Sequence, residues 1–144
     1  MSKTIYSIYD NSPKTEQIST LLGQNNTAKI QLSGLVGSSI SFLIRSLFKK
    51  SELPFVLILN DKEEAAYFLN DLEQMVGDQD VLFYPASFRR PYQIEETDNA
   101  NVLLRAEVLN RINSRKKPAI IVSYPEALFE KVVTRKELDK NTLK

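Results

Sequence analysis

The sequence predicts an α/β domain: a three-layer arrangement in which helices flank a parallel sheet. Three observations carry this. Short apolar runs rich in β-branched and aromatic residues occur at 55–59, 81–84 and 119–123, each bounded by proline or polar turn residues. Between them lie stretches with apolar residues at i, i+3, i+4 and i+7 spacing, the period of a half-buried helix. The two kinds of segment alternate, and consecutive strands joined through helices must run parallel.

Residues 1–13 read as a weakly tethered lead-in closed by Ser12-Pro13. A short helix follows from Lys14 to Gly23, with Ile18, Leu21 and Leu22 on one face. Ala28-Lys29-Ile30-Gln31-Leu32 alternates apolar and polar and reads as a strand. A Ser/Gly loop leads into a helix ending near Lys50, with Ile40, Leu43, Ile44, Leu47 and Phe48 in one buried stripe. Pro54 introduces the run 55–59, continuous enough to be covered on both faces.

Asn60 or Asp61 caps the next helix, whose stripe is Ala65, Phe68, Leu69, Leu72 and Val76 and whose stop is Gly77. Residues 81–84 form a strand stopped by Pro85, and a loop rich in aromatic, proline and charged residues runs to Asp98. A helix over about 99–114 turns Val102, Ala106, Leu109 and Ile112 or Asn113 inward. Residues 119–123 are a fourth strand, and Pro125 suits the first turn of a helix burying Leu128, Phe129 and Val132. In such sheets ligands gather beyond the strand C-termini.

Composition bounds the chemistry. The 144 residues, 42% apolar and 26% charged, suit one soluble domain of intracellular type. No apolar run reaches the roughly 18–20 residues of a membrane span, and the N-terminus lacks a signal-peptide layout. The absence of cysteine removes thiolate catalysis and zinc–sulfur sites; the absence of histidine removes the commonest general base and metal ligand. Nineteen basic against eighteen acidic side chains, a net charge of +1, argue against a dedicated nucleic-acid coat.

The segment Gly34-Leu35-Val36-Gly37-Ser38-Ser39-Ile40-Ser41 has the strand–loop–helix layout of a phosphate-binding loop. In the pattern G-x-x-x-x-G-K-[ST], amides cradle the phosphates and lysine supplies the charge. Gly34 and Ser41 stand at the first and last positions, but Ser39 replaces the second glycine and Ile40 the lysine. Phosphoryl transfer depends on positioned positive charge, so losing that lysine removes the chemistry. Ile40 opens the apolar stripe and is expected to pack in the core or fill the phosphate position. The plain alternative is a Gly/Ser turn. No acidic residue at the end of the fourth strand offers a magnesium ligand, and Asp61 reads as a helix cap. Glu95, Glu96 and Asp98 read as a solvated loop.

This loop, the strand with Asn60-Asp61, and above all Phe83-Tyr84-Pro85-Ala86-Ser87-Phe88-Arg89-Arg90-Pro91-Tyr92 resemble the N-terminal region of bacterial transcription-repair coupling factors (Mfd), whose first domain is similar to the excision-repair protein UvrB. The order continues through Asp98, Arg105 and Ile112 to 120–123 and Pro125-Glu126-Ala127-Leu128. The resemblance covers about residues 14–135 and implies a P-loop, UvrB-like fold, a degenerate helicase-type lobe. UvrB-like proteins keep the lysine that is Ile40 here. They also carry a long tyrosine-rich hairpin, for which the short run after Tyr92 leaves no room. Both departures fit the coupling factor, whose UvrB-like module has lost ATPase function.

The resemblance further implies a non-catalytic module of a longer bacterial cytoplasmic protein. ATP and Mg would belong to that protein's motor, with no cofactor or metal in this segment. Its partners would be the other domains of the same chain, UvrA through the adjacent domain, and RNA polymerase and DNA through downstream modules, with no membrane. Residues 136–144 would begin the connection to the next domain. Tyr84, Phe88, Arg89, Arg90 and Tyr92 form a candidate interaction loop, with domain contact favoured over nucleic-acid stacking. Arg115-Lys116-Lys117 reads as a basic helix end complementing the macrodipole. The competing readings are a nucleotide-dependent helicase or ATPase lobe, against which Ile40 speaks, and a nucleic-acid-binding domain, against which the charge balance speaks.

Overall fold

The computed structural model describes residues 4–24, 27–88, 98–115 and 117–131. The elements in order are α1 (Ile5–Asp10), α2 (Pro13–Leu22), α3 (Ser39–Ser51), β1 (Phe55–Ile58), α4 (Lys62–Val76), β2 (Val81–Tyr84), α5 (Asn99–Ser114), β3 (Ile120–Ser123) and α6 (Pro125–Phe129). The strands form a parallel sheet in the order β1-β3-β2. β3, the last strand among the described residues, is thus central, and all four of its residues are buried.

The register explains the layers. Phe55, Ile120 and Val81 stand side by side, as do Ile58, Ser123 and Tyr84, so alternate residues share a face. Phe48 of α3 meets Phe55 edge-on at 6.1 Å on one face. Arg105 of α5 lies 4.2 Å over the Tyr84 ring on the other. α4 packs beside α3, with Ala65, Phe68 and Leu72 buried. Helices therefore cover both faces, and the core runs from Phe48 and Leu72 through Ile120 and Val122 to Val108 and Ala127. Among the described residues no helix is long and apolar enough to cross a membrane.

Five expectations need correction. The stretch 28–32 is not a strand, and the described sheet has three strands rather than four. Ile30 and Leu32 are exposed, and the segment pairs with neither open edge of the sheet; alternation without a pairing partner does not make a strand. β1 is covered on one face only: Val56 and Ile58 are 57% and 60% exposed, because α5 packs on β2, at the opposite edge of the sheet from β1.

α5 is rotated from the predicted stripe. Arg105 and Val108 are buried and Val102 and Ile112 exposed, while Ala106, Leu109 and Asn113 of the predicted stripe are half-buried, Leu109 against the core. The rotation follows Arg105, whose Nη1 donates to the carbonyls of Pro85 (2.7 Å) and Ala127 (3.0 Å). In α6 only Ala127 is buried; Leu128 and Phe129 face outward because a single turn anchored at Tyr124 and Ala127 presents its next two positions to the opposite side. Val132 lies outside the described residues, as does the expected connection at 136–144.

The lead-in is the fifth correction. Residues 5–10 form α1, which docks on α3: Tyr9 stacks on Phe42 at 5.4 Å, Tyr6 meets the same ring at 5.7 Å, and Arg45 lies 4.3 Å over Tyr6. Asp10 accepts from Arg45 Nη1 at 2.8 and 3.0 Å and from Ser46 Oγ at 2.6 Å. Burial raises the Asp10 pKa, but the hydrogen bonds from Ser46 and Arg45, with the charges of Arg45 and Lys49, outweigh it and hold the carboxyl below its ordinary value.

Candidate functional site

The glycine loop at 34–41 leads from the exposed stretch 28–32 into α3. Gly34 and Gly37 have φ of 80° and 54°, which a side chain would oppose, and so the chain turns here as only glycine readily allows. The turn closes on itself. Ser39 Oγ both accepts from Val36 N–H and donates to Val36 O at 2.7 Å, and Ser39 N–H donates to the same carbonyl at 3.2 Å. The loop amides of Val36 and Ser39 therefore already have partners. Ser38 Oγ lies 2.8 Å from the Tyr67 hydroxyl, tying the loop to α4.

Ser41, at the position where the pattern places a metal-binding hydroxyl, is buried, and its Oγ donates to Asp71 at 3.3 Å. Ile40, expected to pack in the core or to fill the phosphate position, is 36% exposed and so is not a core residue. As the second residue of α3 it sits one position before the buried face, which begins at Ser41 and continues through Leu43.

The strand C-termini build a second place. A cleft of about 740 Å³ opens there, bordered by the N-terminus of α4, the chain after β2, and α6. Asp61 Oδ1 accepts from Glu64 N–H at 2.8 Å, the N-cap predicted from sequence. Ala86 N–H donates to the Tyr124 hydroxyl oxygen at 2.9 Å, and Asn101 donates to Ala86 O at 2.9 Å. Glu130 accepts from Ser87 N–H at 2.8 and 3.0 Å and from Ser87 Oγ at 2.7 Å, and stands 3.4 Å from Arg105. Asp98, at the far end of the loop, caps α5 and donates its N–H to Ser87 O at 2.8 Å.

The aromatic loop is only partly what the sequence suggested. Tyr84 is 6% exposed, a core residue of β2 beneath Arg105 and not a contact residue; burial raises its pKa, with Glu130 adding to the rise and Arg105 opposing it. Phe88 is half-buried and lines the cleft. Arg89, Arg90 and Tyr92 lie outside the described residues, as do Glu95, Glu96 and Lys116. Sequence reasoning missed Arg105, Tyr124 and Glu130. The one signal was a charged residue, Arg105, in line with apolar Val108 at i+3.

Over 104 residues, 72% of this chain, it is 26% identical to the transcription-repair-coupling factor of Rickettsia bellii (strain RML369-C). It is 25% identical over 111 residues, 77% of the chain, to the transcription-repair-coupling factor of Bacillus subtilis (strain 168). The chain is related to transcription-repair-coupling factors. It spans 9% of the length of each of these relatives. No protein-family profile matches the chain, and no solved structure matches it at a significant level.

Proposed function

We propose that this chain is the first lobe of a UvrB-like interaction and scaffold module in a bacterial, cytoplasmic transcription-repair coupling factor, without catalysis of its own. The observation that carries the reading is the similarity to two such factors across about three-quarters of the chain. The loop supports it. With Ile40 in place of lysine and the amides of Val36 and Ser39 bonded within the turn, the segment 34–41 lacks the positive charge that phosphoryl transfer needs. In this reading the module positions the neighbouring domain for UvrA and helps hold the parent protein in a closed resting state. ATP and Mg would serve a motor elsewhere in that parent, where RNA polymerase and DNA would also be engaged.

Two measurements test this. Calorimetric titration of the 144-residue chain with Mg-ATP should show no specific heat at millimolar nucleotide; micromolar affinity that depends on residues 34–41 would overturn the non-catalytic part. In the parent protein, deletion of the lobe should lower repair of the transcribed strand while leaving motor ATPase intact or raised. Unchanged repair would overturn the assignment to coupled repair, and loss of ATPase would overturn the scaffold role.

A further inference from the structure

The cleft at the strand C-termini has a sign opposite to the one its architecture supplies. In a parallel α/β fold the helix following each strand points its N-terminus, and so its partial positive charge, at this place, which commonly holds anions. Here Asp61, Glu63, Glu126 and Glu130 line the cleft against the single ammonium of Lys62. Glu130 is matched by Arg105, but the carboxylates of Glu63 and Glu126 form no hydrogen bond or ion pair with any described residue. A phosphate or nucleic-acid backbone entering here would meet net negative charge.

The carboxylates do not converge, either. Among the described residues no three acidic side chains come together in a way that could hold a metal ion. The walls between them are aromatic. Phe129 is 89% exposed beside half-buried Phe88 and the buried Tyr124 ring. Acidic side chains at the starts of α4 and α6 have an ordinary role in balancing the helix dipole. Phe129, almost wholly in water on the same rim, adds an open aromatic face beside them.

Spread carboxylates around one exposed aromatic ring fit a guanidinium. Its plane stacks on a ring face while its donors pair with carboxylates, and neighbouring apolar side chains of the same ligand cover the rest of the ring. We infer that this cleft docks an arginine-bearing, partly apolar segment of a protein partner. Its volume of about 740 Å³ accommodates a few side chains. The chain's net charge of +1 would not draw a cationic peptide to it at large, so the attraction is local. The inference uses the cleft alone and stands independently of the function proposed above.

The test uses the 144-residue chain and fluorescein-labelled nine-residue peptides of alternating arginine and leucine, lysine and leucine, or glutamate and leucine, followed by anisotropy. The arginine peptide should bind, the lysine peptide more weakly, and the glutamate peptide not at all. Glu63→Lys with Glu126→Lys should weaken binding by about tenfold or more, and Phe129→Ala by about threefold or more. Glu107→Lys, a reversal at an exposed position of α5 outside the cleft, should leave it unchanged. All the substituted side chains are exposed, and matching urea midpoints will show that the variants fold. Absence of binding at about 1 mM peptide, the weak limit of useful affinity, would overturn the proposal. So would binding indifferent to the Glu63 and Glu126 reversals, or equal competition by spermidine with no effect of Phe129→Ala.

Discussion

Ser87 and Glu130 stand 43 positions apart in sequence, and both donors of Ser87 go to the Glu130 carboxylate, the N–H at 2.8 and 3.0 Å and the hydroxyl at 2.7 Å. Arg105 completes the contact at 3.4 Å. The chain leaving α6 is thereby fastened to the chain leaving β2, and the arginine between them also holds the carbonyls of Pro85 and Ala127.

This relationship predicts an asymmetry. Glu130→Ala leaves a buried guanidinium and a backbone N–H without their anion, and should cost about 3–5 kcal/mol. Ser87→Ala removes only a hydroxyl and should cost about 0.5–1.5 kcal/mol. Urea melts of the two variants decide it. Equal, small losses would mean that the carboxylate is easily replaced by water.

The loop at 34–41 gives a second prediction. A core Ile40 would make Ile40→Lys costly, but the side chain is 36% exposed and its neighbour Ser41 takes the buried position. Ile40→Lys should shift the stability by no more than about 0.5–1 kcal/mol. It should also fail to create ATP affinity, because the amides of Val36 and Ser39 are held by the Ser39 hydroxyl and the Val36 carbonyl. Denaturant melts and Mg-ATP calorimetry on the variant check the two halves.

Where apolar periodicity was strong, the fold was legible. α4, with Ala65, Phe68 and Leu72 buried, and the runs that became β2 and β3 follow their sequence patterns. It was not legible where polar groups set the geometry. Arg105 turns α5 away from the stripe of Val102 and Ile112, and no hydropathy scale marks an arginine as buried. α1 is too short to show a period, and it docks by Tyr6, Tyr9 and the Asp10–Arg45 pair. The cleft was legible only as a location: strand ends pointed to it, but its carboxylates come from segments far apart in the chain.

The Asp10 carboxyl carries the third prediction. Its pKa is lowered in the folded protein, so its contribution is fully present above the unfolded value of about 3.9. It is lost as pH falls from there through the lower folded value. Below about pH 4, where unfolded carboxylates take up protons, α1 should detach from α3 before the sheet unfolds. Proteolysis near residues 4–12 against pH will show this, and Asp10→Asn should abolish that pH dependence while exposing the same site at neutral pH. Detachment that tracks global unfolding at every pH would contradict it.

The two isoleucines of neighbouring strands make the last prediction, since they differ in cover and not in chemistry. Ile120, in central β3, is fully buried with α3 and α4 on its face of the sheet. Ile58, at the end of β1, lies on the opposite face where α5 does not reach and is 60% exposed. Truncation at Ile120 removes buried methyl groups and leaves a cavity that a close-packed strand cannot collapse, so Ile120→Ala should cost about 2–5 kcal/mol. At Ile58 the same truncation removes surface already largely in water, and Ile58→Ala should cost under about 1 kcal/mol. Guanidinium melts of both, at unchanged m-value, give the comparison. A large loss at Ile58 would mean that another part of the chain covers this face of β1 in solution.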